Sequence, residues 1–169
     1  MYPMKLLVLF CTLATAAVIP RAVKDVPAGY CCFTLHDTAS GSIVQQNPDS
    51  GFLYLNGGQP SGWYCINLSN TQNVLRDDFN NACFLAPDGL FQCLDPTIGP
   101  TSWTLTKSGS NTLLAHDKST TFSSCPAKTT GRLLYSTKSG DASQCKKITL
   151  KAQDFTGTCK SFSARSSTE

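Results

Sequence analysis

A histidine beside an aspartate can move protons, and this 169-residue chain offers the pairing twice. Leu35-His36-Asp37 and Ala115-His116-Asp117 contain its only two histidines. An imidazole oriented by a carboxylate can act as a general base or activate a nucleophile. The spacing points elsewhere. Leu75-Arg76-Asp77 stands midway between the two, so the triplets recur at steps of 40 residues, with arginine in place of histidine in the middle one. A catalytic cluster is asymmetric and occurs once, whereas a tripeptide met three times marks a repeated structural position. Asp37, Asp77 and Asp117 are therefore expected to organise strand-end turns, where a short carboxylate accepts backbone N–H groups. His116 is read as structural.

Other reaction chemistry finds little support. There is no G-x-S-x-G nucleophile elbow. The only glutamate is Glu169, so the usual opposed carboxylates of a glycosidase would have to be aspartates, and Asp77-Asp78 reads as a turn. No D-x-D-x-D-G loop is present to hold a divalent cation, and the cysteines lack the C-x-x-C knuckles of a zinc site. The expectation is a non-enzymatic protein with no catalytic residue, metal or cofactor.

The elements that would carry these residues are short. Apolar runs such as 32–35, 52–55, 63–68, 90–94, 103–105 and 148–150 are separated by Gly, Pro, Asn, Asp and Ser, and none has helical periodicity. Many small strands with turn chemistry between them predict an all-β domain. Trp63 and Trp103 are also 40 apart, each opening an alternating stretch, and both are expected in the core. Gly51, Gly89 and Gly131 each precede an apolar strand at steps of 38 and 42. Three units of about 40 residues, each long enough for four short strands, describe a β-trefoil; the alternative is a two-sheet β-sandwich.

Lys5, an apolar run and Ala14-Thr15-Ala16 make residues 1–16 a signal peptide, too short to span a bilayer. Residues 17–29 read as an N-terminal extension or short propeptide, with Arg21 a possible processing point. Residues 30–160 read as a single β domain, and 161–169 as a disordered polar tail. Loss of the leader removes Cys11 and leaves Cys31, Cys32, Cys65, Cys83, Cys93, Cys125, Cys145 and Cys159, an even set suited to four disulfides in an oxidising compartment. The formal net charge of +3 is too small to suggest nucleic acid as a partner, and no later segment suits membrane insertion. The charge is uneven: 17–106 carries 3 basic and 7 acidic residues, 107–169 carries 10 and 4. Asn67-Leu68-Ser69 is an N-glycosylation acceptor.

One pairing follows from a turn. In Ala86-Pro87-Asp88-Gly89, Pro presets φ and Gly is free to take positive φ. If Leu85 faces Phe91 across this hairpin, antiparallel register sets Cys83 opposite Cys93, close enough for a disulfide.

Ser124-Cys125-Pro126, a hydrophobic strand, Cys145, an alternating strand and Cys159 together resemble the C-terminal third of the phialide-associated cell-wall proteins of filamentous fungi. Gly29-Tyr30-Cys31-Cys32-Phe33-Thr34-Leu35 and Gln92-Cys93-Leu94-Asp95-Pro96 likewise resemble small secreted cysteine-rich fungal proteins. The resemblance implies a secreted, wall-associated or host-facing protein, and a Cys125–Cys145 pairing that leaves Cys31, Cys32, Cys65 and Cys159 to tie the chain ends to the first unit. In spacing the chain is similar to the ricin-B type lectins: Asp37 to Trp63 and Asp77 to Trp103 both span 26 residues. That similarity implies sugar binding at Asp37, Asp77 and Asp117, although the Gln of the lectins' Q-x-W motif is missing here. Expected partners are thus cell-wall polysaccharide or a host glycan or protein. A secreted protease inhibitor is the remaining alternative.

Overall fold

The computed structural model describes residues 25–69, 73–95, 102–137 and 142–159. The expected leader and polar tail lie outside them. The domain is all-β, with every strand pair antiparallel: β1 (Cys31–Asp37), β2 (Val44–Gln46), β3 (Leu53–Leu55), β4 (Tyr64–Ile66), β5 (Leu75–Asp77), β6 (Ala82–Leu85), β7 (Phe91–Asp95), β8 (Trp103–Ser108), β9 (Asn111–His116), β10 (Thr121–Pro126), β11 (Arg132–Ser136) and β12 (Lys146–Gly157). No helix among the described residues is long and apolar enough to cross a membrane.

The sheet curls. β12 pairs with β1, β1 with β4 and β4 with β5, while β8 pairs with β9 and β9 with β12. The Trp103 amide donates to Asn73 O (3.3 Å), which brings the start of β8 back to the start of β5. The three remaining hairpins, β2–β3, β6–β7 and β10–β11, each touch both others. β3 pairs with β11, Phe52 bridges to Gln92, and Leu90 bridges to Tyr135. Each second hairpin strand sends a fully buried apolar side chain inward, Leu53, Phe91 and Leu134.

The repeated glycines serve these crossings. Gly51, Gly89 and Gly131 all have positive φ (68°, 87° and 78°). Gly51 O accepts from Cys93 N and Gly89 O from Ser136 N. A Cβ at Gly51 would collide with Cys93 O, and one at Gly131 would lie 2.6 Å from the Asn56 backbone. Only glycine lets the hairpins approach this closely.

The disulfides are Cys31–Cys159, Cys32–Cys65, Cys83–Cys93 and Cys125–Cys145. Cys83 faces Cys93 directly, with Phe84 opposite Gln92 and Leu85 opposite Phe91, so the hairpin has the register its turn sequence predicts. A bulge does occur, but beyond the bridge, between Ala82 and Cys83. Cys32 and Cys65 are likewise directly paired on β1 and β4.

One core assignment is corrected. Trp103 is fully buried, its indole N–H donating to Cys83 O (2.8 Å) and its ring stacked on Phe91. Trp63 is only half-buried, and Tyr64 takes the core position instead. The cause is the period of two along a strand. In β4 the inward face is set by Tyr64 and Ile66, while Cys65 turns the other way to reach Cys32. The two tryptophans are 40 residues apart without occupying equivalent places.

Candidate functional site

The turns at the three Asp-containing triplets differ. After β1, Asp37 N donates to Ser42 O, leaving four residues between the paired positions. The Asp37 carboxylate is buried and accepts from the amides of Ala39 (3.4 Å) and Ser40 (3.0 Å) and from the Ser40 hydroxyl. After β5, Asp77 N donates to Asn81 O, with three residues between. Asp77 is also buried, accepting from the amides of Phe79 (3.0 Å) and Asn81 (2.8 Å) and from the side-chain amides of Asn81 (3.1 Å) and Gln46 (2.6 Å). Both carboxylates are committed to their turns.

The third turn is built otherwise. His116 and Ser119 exchange backbone hydrogen bonds (2.9 Å each way), leaving only Asp117 and Lys118 between them. Both have positive φ, 48° and 66°, as a two-residue type I′ loop requires. The residue that closes the turn, the part played by Asp37 and Asp77, is therefore His116. The sequence repeat is out by one residue here. Leu35 and Leu75 belong to the core cluster, but in β9 the corresponding member is Leu114, not Ala115. A one-residue slip exchanges the two faces of a strand. Asp117 accordingly points outward, its side chain 69% exposed, while the His116 ring meets the Trp103 ring at 4.6 Å in an edge contact.

His116 is half-buried, and burial lowers its pKa below the usual histidine value; Asp117, with its carboxylate 3.3 Å from Nδ1, opposes the shift. Beside this pair opens a cleft of about 380 Å³. Leu85, Ala86, Pro87 and Gly89 of the β6–β7 turn line one side. His116, Asp117, Ser119, Thr121 and Phe122 line the β9–β10 side, and Ser136 and Thr137 complete it. The volume lies at the lower end of the roughly 300–1,000 Å³ of ligand pockets. The Cys83–Cys93 bridge staples the hairpin that carries the apolar side.

The other histidine is a clasp. His36 Nδ1 donates to Gly41 O (3.2 Å), and Nε2 lies 2.9 Å from Thr34 Oγ1, which donates to Asp154 Oδ2 (2.7 Å). The cluster holds β1 to β12 where Asp154, at φ 52°, lies in the stretch of the last strand whose register against β1 shifts. Arg76, its counterpart in the middle unit, donates to Asn80 O (2.6 Å) and supports the second turn.

Of the three candidate glycan-binding aspartates, then, Asp117 lines this cleft, whereas Asp37 and Asp77 are buried in their turns. Sequence reasoning missed Ser119, Thr121, Thr137 and the Leu85–Pro87 side, which come from three separate segments; Asp117-Lys118 flanked by apolar β9 and β10 was the available sign of a tight turn. Asn67 follows β4, and its Oδ1 accepts from the amide (3.1 Å) and hydroxyl (2.6 Å) of Ser69. Among the described residues, no group of three or more His, Cys, Asp or Glu is arranged to hold a metal ion. The chain matches no protein-family model, no curated protein and no solved structure.

Proposed function

We propose that the protein is a secreted, non-enzymatic binding protein of a fungal cell surface or host interface, built on a β-trefoil. The fold reading is supported by the six mutually linked strands β1, β4, β5, β8, β9 and β12, and by the three hairpins in pairwise contact around glycines recurring about every 40 residues. Four disulfides are consistent with an extracellular protein. The place of action rests on the resemblance to phialide-associated wall proteins.

The observation that carries a binding role is the cleft at the third turn, walled by a stapled hairpin on one side and a two-residue turn on the other. A small recess with an apolar side and hydroxyls around it suits a polar organic ligand. The same feature favours the lectin-like reading over the inhibitor reading, because an inhibitor acts through a loop that protrudes. Retention of the purified protein on isolated fungal wall material, a glycan array and a protease panel test the assignment together. Wall or glycan binding supports it; tight stoichiometric inhibition of one protease class would replace it with the inhibitor.

A further inference from the structure

The cleft has a definite chemical character. Leu85, Ala86 and Pro87 offer an apolar flank. Ser119, Thr121 and Thr137 contribute hydroxyl-bearing residues to the rest of the lining, and the Ser119 hydroxyl also accepts from the Thr121 amide (3.3 Å). Among the described residues, Asp117 carries the one formal charge in the lining apart from the histidine, and its carboxylate lies 3.3 Å from the half-buried imidazole. Lys118, next on the turn, is exposed and does not line the cleft. An apolar flank facing a hydroxyl rim fits a sugar ring, whose C–H face is apolar and whose edge is polar. A lone carboxylate on that rim selects for a cation.

We propose that this cleft binds a saccharide unit bearing a primary ammonium, that is, a hexosamine without its acetyl group. The ammonium pairs with Asp117, the ring hydroxyls meet Ser119, Thr121 and Thr137, and the C–H face lies toward Leu85 and Pro87. The proposal rests on the glycan-facing reading above and narrows it. Bulk electrostatics do not produce the same result: the whole chain is net positive at +3, so attraction of a polycation has to be local.

The test is calorimetric titration of the secreted protein in 0.15 M salt with hexamers of glucosamine, N-acetylglucosamine and β-linked glucose, and with a lysine-containing peptide. The glucosamine hexamer is expected to bind at least five-fold more tightly than the other three. Asp117→Asn should weaken it by about five-fold, to the level of the acetylated hexamer, the upper scale of an exposed ion pair. Thr137→Trp, at an exposed position on the cleft's edge, should abolish it while leaving the unfolding midpoint unchanged. Equal binding of the acetylated hexamer, competition by the lysine peptide, or undiminished binding by a folded Thr137→Trp protein each overturns the proposal. Continued retention on wall material with no hexosamine preference overturns it alone; loss of retention as well overturns the broader reading.

Discussion

The turn after β5 and the turn after β9 close the same kind of strand pair by opposite means. At Asp77, three intervening residues leave backbone N–H groups without strand partners, and a buried carboxylate collects them along with the Gln46 amide. At His116, two residues in the left-handed region complete the hairpin through main-chain bonds alone. No carboxylate is needed there. The aspartate is displaced outward, and an aromatic ring takes the inward place against Trp103. The difference teaches what turn length decides: with only two intervening residues the main chain closes the hairpin by itself, and the acidic group stands outside it, beside a cleft. The first turn, with four residues and a capped Asp37, belongs with the second.

The sharpest way to break this comparison is to remove each aspartate in turn. Asp77→Ala should cost about 3 kcal/mol, since it strands several buried donors, and Asp37→Ala about 1.5 kcal/mol, the scale of a lost cap. Asp117→Ala should stay within about 0.5 kcal/mol, as exposed substitutions do. Denaturant unfolding of the three variants measures the order, and an Asp117 loss equal to that of Asp37 would restore threefold equivalence to the aspartates.

A smaller effect of opposite sign is expected at the same turn. Lys118 occupies a conformation that costs an L-residue about 1 kcal/mol or more, so Lys118→Gly should raise stability by about that amount. A drop in unfolding midpoint would refute the two-residue loop.

The weakest effect is pH-linked. His116 has a folded pKa below its ordinary value of 6.5, so the unfolded chain takes up the proton first as pH falls. Its contribution is fully present above about pH 6.5 and is lost progressively as pH drops from there through the lowered folded value. Unfolding free energies compared at pH 7.5 and pH 5 should show this decline, and His116→Gln should reduce it. An unchanged slope in the variant would mean that the imidazole is solvated in the folded state.

How far the sequence could be read depended on whether local chemistry set the geometry. The β6–β7 hairpin was legible because Pro87 and Gly89 fix a turn, and a turn fixes register, which brought Cys83 to Cys93. The glycines were legible because close approach of backbones leaves no substitute. The slip in β9 was not. Leu113-Leu114-Ala115 is apolar at every residue, so no alternation says which side chains turn inward, and the structure buries all three. For the same reason Trp63 and Trp103 looked equivalent: equal spacing in sequence does not preserve strand face when turns differ by a residue. The cleft was out of reach, since its sides meet only after three segments fold together.

The bond from Cys31 to Cys159, spanning 128 residues, gives the domain a further property. A protease cutting at the exposed Gly109 would separate two polypeptides, one holding the Cys32–Cys65 and Cys83–Cys93 bridges and the other holding Cys125–Cys145. Those three bridges are each internal to one piece. The Cys31–Cys159 bond alone crosses the cut, so the nicked molecule would migrate intact without reductant and as two fragments with it. Between Cys31 and Cys159 the chain behaves as a closed loop, in which such a cut opens the loop without releasing either half.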